Sequence, residues 1–241
     1  MTLLTDLKQA PTAIIPACGD GHTFQMLANS KAPAIFLSGQ LTTDHLIAEG
    51  DQGLLSITEY KNYAFSLGLK KAQPLLLDLQ SGFGNPLNTY YAAKELERSG
   101  ADIMILSDQK YPAHNTDQPA TTTAEDFIGK IRAGLDGIEN SDIEIWARLE
   151  GLHEYGLKGF KDRARYAYNA GAKAIIIDHY TDADLESLTK ADLPLPLLAT
   201  LKAGQTAKAI DADNFYGYLD LGRLALAAHK ALETAMADLL K

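Results

Sequence analysis

Short apolar runs along the chain alternate with longer segments whose apolar residues recur at helical spacing. That is the pattern of repeated strand and helix units, and hence of a parallel sheet. The runs are Ala13–Ala17, Ala34–Leu37, Leu75–Asp78, Ile103–Leu106, Ile143–Ala147, Ala174–Ile177, Leu195–Ala199 and the weaker Phe215–Leu219. Helices are predicted at His22–Asn29, Thr58–Leu67, Pro86–Ser99, Ala124–Leu135, Lys158–Asn169, Asp182–Leu188, Thr206–Ile210 and Gly222–Leu240. Asn85 before Pro86 reads as an N-cap with proline at the first helical position, and the glycines of SGAD and NAGAK fall just past helix ends. Eight such pairs in 241 residues predict a closed (β/α)8 TIM barrel, one domain over 1–241. A doubly wound sheet usually stops at about five to seven strands.

A barrel of this kind collects its active site at the carboxyl ends of the strands. The polar residues there are Ser38, Asp78 with Gln80, Ser107 with Asp108, Arg148 with Glu150, Asp178 with His179, and Thr200. Strand ends meet water in any fold, so ordinary surface polarity covers part of the set. It does not cover Arg148, which follows the apolar IEIWA directly and would be costly to leave unpaired in a barrel mouth. His114 and His179 are candidate proton carriers, set against the plainer reading of loop histidines. The tyrosines of YYAAKEL and ARYAYNAGA are read as packing, and Gly82 and Gly84 as a sharp backbone turn rather than a dinucleotide loop. The polar tract HNTDQPATTTAED, residues 114–126, is the expected binding or lid loop.

Composition narrows the classes. At 46% hydrophobic the chain can bury a large core. A net charge of -9, with no cluster of Lys and Arg, argues against a nucleic-acid partner. No apolar run approaches the roughly 18 residues of a membrane helix, and the start MTLLTDLKQAPT lacks signal-peptide features, so a cytoplasmic protein without a membrane partner is expected. The single cysteine, Cys18, supports no disulfide framework or thiolate cluster and is read as packing.

Several segments resemble, in order, the motifs of the isocitrate lyase and phosphoenolpyruvate mutase superfamily. LLLDLQSGFGNPLN is similar to its D-x-D-x-G-x-G-N stretch, ILSDQKYPAHNT to its E-D-[KQ]-x-x-x-P run, AIFLSG to its strand-two signature, DQGLLSITEY to D-x-G-x-x-[ST]-x-x-E, and IWARLEGL to I-x-A-R-[TV]-[DE]-A-[LF]. GLKGFKDRARYAYNAGAKAIII resembles the helix and strand that follow. The resemblance implies a barrel, an oligomer (dimer or tetramer) with the last helix exchanged between subunits, and Mg2+-assisted making or breaking of a C–C or P–C bond beside the carboxylate of a small α-oxo acid. It assigns Arg148 as carboxylate clamp and Ser38, Gly39 and Phe36 to substrate binding. Asp51 falls near the metal waters, Asn115 and Thr116 on a gating loop, and Asp78 at the metal. Asp108 and Asp178 are further candidate ligands.

The chain departs from the pattern where charge matters. Gln80 replaces the second Asp of D-x-D, Ser107 replaces the Glu of E-D, and Gln109 stands where the mutases have Lys. Mg2+ prefers anionic oxygen, so the first two changes predict weakened metal binding. The lyase loop K-[KR]-C-G-H is replaced by PAHNTD, which places the resemblance closer to the mutase branch and a phosphonopyruvate-like substrate. Two alternatives stand beside it: a barrel that has lost catalysis and binds small acids or a partner, and a C–C lyase or decarboxylase with a rearranged metal site.

Overall fold

Side chains at alternate strand positions point to opposite faces, and in a barrel one face is the axis and the other the surrounding helices. The computed structural model describes residues 2–10, 12–202 and 204–240. Its parallel strands are β1 (Ile14–Cys18), β2 (Ile35–Leu37), β3 (Leu75–Asp78), β4 (Ile103–Ser107), β5 (Glu144–Leu149), β6 (Ala174–Ile177), β7 (Leu197–Leu201) and β8 (Phe215–Asp220). They close in chain order, β8 pairing with β1. Around them run α1 (Leu3–Lys8), α2 (Gly21–Ala28), α3 (Gly39–Ile47), α4 (Ile57–Gly68), α5 (Pro86–Arg98), α6 (Ala124–Gly137), α7 (Leu152–Ala170), α8 (Asp182–Thr189) and α9 (Arg223–Leu239). No described helix is long and apolar enough to cross a membrane.

The alternation separates two apolar layers. Phe36, Leu76, Ile105, Trp146, Ile176 and Leu198 fill the barrel axis. Leu37, Leu77, Met104, Ala147, Ile175 and Leu197 face outward against Phe24, Tyr60, Phe127 and Phe160 of the helices. Carrying the inward positions on by two residues turns the axis polar: Phe36 leads to Ser38, Leu76 to Asp78, Ile105 to Ser107, Trp146 to Arg148, Ile176 to Asp178, and Leu198 to Thr200. All six polar residues are buried. Local chemistry sets the elements that carry them. Asn85 caps α5 through the N–H groups of Leu87 and Asn88, with Pro86 behind it. Ser38 begins α3 by accepting from Leu41 N.

Two predicted helices need correction, and α1 and α3 lie where no helix was predicted. Thr206–Ile210 is not helical. Five residues are too few to repay helix nucleation, and Lys208 exchanges backbone hydrogen bonds with the Tyr218 hydroxyl instead. α3 was not predicted because its Thr42 and Thr43 are weak helix formers, and the Ser38 cap and burial between neighbours decide its course. α7 starts at Leu152 rather than Lys158, broken at Gly156, whose φ of 61° suits glycine.

The close approach of α3 to the end of β1 requires Gly19, since a Cβ there would overlap the backbone carbonyl of Leu41. Gly19→Ala is therefore expected to cost about 1–3 kcal/mol, as overpacking does. Urea unfolding measures it; an unchanged midpoint would mean that the helix retreats freely.

Candidate functional site

Arg148 is the centre of the rim. Its Nε lies 2.8 Å from Glu150 Oε1 and 3.5 Å from Asp178 Oδ2, and all three side chains are buried. The Nε hydrogen is not aligned with either oxygen, so charge rather than a directed hydrogen bond holds the pair. Glu150 also accepts from the Ser107 hydroxyl at 2.6 Å and from Gln109 Nε2 at 2.9 Å. Burial alone would raise the Glu150 carboxyl, but the Arg148 charge and the hydrogen bonds from His179 and Ser107 hold it well below the usual range. Burial opposes the charge on Arg148, and Glu150, Asp178 and Asp78 together raise its pKa further.

A second chain of contacts leads outward. His179 Nε2 is 3.3 Å from Glu150 Oε2, and His179 Nδ1 is 3.1 Å from Lys202 Nζ. An ammonium only donates, so Nδ1 accepts and the ring hydrogen on Nε2 faces Glu150. Lys202 also reaches Asp117, at 3.1 Å. His179 is held at a φ of 50°, unusual for a residue with a side chain, and its N–H donates to Asp178 Oδ1 at 2.7 Å. Asp178 accepts at the same oxygen from the Thr200 hydroxyl, at 2.7 Å.

A cavity of about 260 Å3 opens over this network. Arg148, Glu150, Asp178, His179 and Lys202 line one side, and Gln52, His114, Asn115 and Thr116 the other. Of the residues assigned from the sequence, Arg148, Asn115, Thr116 and Asp178 therefore meet at one opening. Asp51 lies behind it, its Oδ2 2.7 Å from His114 Nδ1 and its Oδ1 accepting from Gly53 N. The 114–126 tract is anchored at its base by Lys110 N donating to Ala120 O, by Thr122 N donating to Asp108 O, and by the bridge between Gln109 and Thr121. Its last three residues belong to α6.

The remaining assigned residues lie elsewhere. Phe36 is fully buried in the axial core and reaches no ligand space, because the inward position open to the rim is Ser38, two residues on. Ser38 and Gly39 are buried and do not line the cavity, although the next residues in the chain, Gln40 and Leu41, do. Asp78 lies beside them, accepting from Gly39 N at 3.0 Å and from Gln80 N at 2.9 Å. Burial pushes the Asp78 carboxyl up, while the Arg148 charge and these backbone bonds oppose the shift. Asp108 does not join Asp78 and Asp178. It accepts from Glu150 N, the Tyr155 hydroxyl and Arg163, and burial first of all raises its pKa to about 6. Cys18 is buried, its thiol pushed up to about 12 by burial and then by Asp20. Lys202 was missed in the sequence, although it lies two positions beyond Thr200 on the inward register.

These donors do not fit Mg2+. Around Asp78, both carboxylate oxygens accept backbone hydrogens and Gln80 is neutral, its side-chain amide buried without a partner. Glu150, Asp178 and His179 bring ligand atoms within 4.8 Å of one another, but the Arg148 guanidinium already lies against both carboxylates. A dication there would have to compete with the guanidinium for the same carboxylate oxygens.

A parallel eight-stranded barrel with a buried arginine and carboxylates at its carboxyl rim defines the general class. The phosphoenolpyruvate phosphomutase family model matches residues 4–239, and the chain belongs to that family. It is 27% identical over 175 residues to the 2,3-dimethylmalate lyase of Eubacterium barkeri, covering 71% of this chain and 60% of that protein. It is 25% identical over 180 residues to an oxaloacetate decarboxylase of a Bradyrhizobium strain, covering 74% and 62%. The chain thus spans about 60% of the length of these curated relatives. A phosphonopyruvate hydrolase solved with oxalate and Mg2+ superposes with a TM-score of 0.82 at 22% identity, over 99% of this chain and 87% of that one, and shares its fold.

Proposed function

We propose that this chain breaks, makes or rearranges a C–C or P–C bond beside the carboxylate of a small α-oxo acid, with Arg148 holding the carboxylate. The buried guanidinium lining the rim cavity is the observation that carries this reading: its planar fork matches a carboxylate, and burial strengthens the attraction. The cavity, about 260 Å3, falls below the roughly 300–1,000 Å3 of pockets for drug-sized ligands. Heterolysis beside the oxo group leaves the electron pair on the acid as an enolate, which needs a positive charge and then a proton. Arg148 offers the charge, and His114, which lines the cavity, is the group placed to deliver the proton, since both ring nitrogens of His179 are engaged by Glu150 and Lys202.

Charge favours the carbon–carbon version. Arg148 and Lys202 face the carboxylates of Glu150, Asp178 and Asp117 in the same cavity, and Gln109 takes the place of a cation. A dicarboxylate adds less negative charge than a phosphonate with its carboxylate, so oxaloacetate suits the cavity better than phosphonopyruvate. Incubation with oxaloacetate, phosphonopyruvate and phosphoenolpyruvate, followed by proton and phosphorus NMR, tests the reading. Turnover of at least one, oxaloacetate fastest, is expected. No turnover of any, with or without Mg2+, overturns it in favour of a barrel that only binds small acids.

An assembly of subunits is part of the same reading. No residue of α9 is buried, and Leu232, Met236 and Leu239 are exposed on it. An apolar helix face of this kind is more stable against another surface. Light scattering is expected to give a dimer or tetramer, and removal of residues 223–241 a monomer; a monomeric natural chain would count against an exchanged helix.

A further inference from the structure

The family resemblance assigns a dication to this rim, yet Arg148 already lies against two of its carboxylates and neutral side chains stand at two of the family's acidic positions. At the two places where a family carboxylate is missing, the replacement is a neutral side chain close to a buried carboxylate that a second acid would repel. A Cβ built on Gly39 would lie 3.1 Å from both Asp78 Oδ2 and Gln80 Nε2, so both side chains end beside the same glycine. A second carboxylate at position 80 would bring a like charge close to Asp78 in a buried site, a placement that a cation would stabilise. The neutral Gln80 avoids that repulsion. Position 107 repeats the arrangement: the Ser107 hydroxyl donates to Glu150 Oε1 at 2.6 Å, where a Glu side chain would oppose the Glu150 carboxylate. Asp51, the acid expected near the metal waters, is instead paired with His114 at 2.7 Å.

Arg148 and Lys202 are the cations of the cavity lining, and Arg148 is the buried one. It is paired with Glu150 and Asp178. Resting on the oxo-acid reading above, we propose that this chain binds its α-oxo acid without a divalent cation, the Arg148 guanidinium holding the acid's oxygens and the neutral pair Gln80 and Ser107 making the rim self-consistent in the cation's absence. A neutral pair at these two positions is then the sequence mark of a metal-independent site, and carboxylates there the mark of a metal-dependent one.

Calorimetric titration of the full chain with oxalate, a stable two-carbon diacid, separates the outcomes. After stripping with EDTA, the natural chain is expected to bind oxalate with a Kd within about threefold of that in saturating Mg2+, and Mg2+ alone is expected to give neither heat nor a change in Tm. The Gln80→Asp/Ser107→Glu double variant is expected to melt lower in EDTA and to regain its Tm on adding Mg2+ or Mn2+, with bound Mn2+ visible by electron paramagnetic resonance. Oxalate binding by the natural chain only when Mg2+ or Mn2+ is present overturns the inference and leaves the oxo-acid reading standing. No oxalate binding under either condition overturns both. Should the double variant fail to fold, the titration of the natural chain still decides.

Discussion

Arg148→Met is expected to lower the stability of the fold by about 3–5 kcal/mol and to abolish oxalate binding. The stability loss follows from burial: Glu150 and Asp178 are shielded from water, and removing the cation between them leaves two uncompensated buried charges. The binding loss follows from chemistry, since a thioether offers a carboxylate no hydrogen bond. Adding Glu150→Gln and Asp178→Asn to Arg148→Met is expected to restore part of the stability and none of the binding, because the repulsion then disappears while the clamp stays absent. Urea unfolding and calorimetry on the single and triple variants provide both readings. An Arg148→Met chain as stable as the natural one would show that the guanidinium does not neutralise these carboxylates.

Glu150→Ala should cost a similar 3–5 kcal/mol at neutral pH, and its pH dependence is diagnostic. Glu150 is the acceptor on which Arg148, Ser107, Gln109 and His179 converge. Because its carboxyl is held below the ordinary value of 4.5, the unfolded chain binds the proton more readily than the folded one. The stability it contributes is therefore fully present above about 4.5 and is lost as the pH falls from there toward the folded value. The gap between the natural chain and Glu150→Ala should narrow through that acid window and stay constant above it. Unfolding free energies measured across this range check the sign: a gap that widens on acidification would mean that the carboxyl is protonated in the fold.

Much of the site was readable from the chain, and the reason is geometric. A strand places residues i and i+2 on one face, so the apolar run that marks a barrel strand also indicates which polar residue follows on the inside. Arg148 stood out because a charged residue directly after IEIWA has no ordinary surface explanation, and it proves to be the hub. Asp108, one register position out of phase with Ser107, is equally conspicuous in sequence and faces Tyr155 and Arg163 instead. Phe36 shared a motif with Ser38 but belongs to the core.

By itself the sequence indicated eight strand and helix units, because hydrophobic period and caps are local properties that act wherever the chain lies, and its ordered motifs pointed to the family. Only the tertiary structure decided what the polar residues do to each other. The pairing of Arg148 with Asp178, the hydrogen bond from Ser107 to Glu150 and the link from Lys202 to His179 join the ends of different strands, and such contacts depend on which strands become neighbours, which no local pattern encodes. A site residue's charge was legible in the chain; whether that charge faces a ligand, a metal or another side chain became fixed only when the strands met.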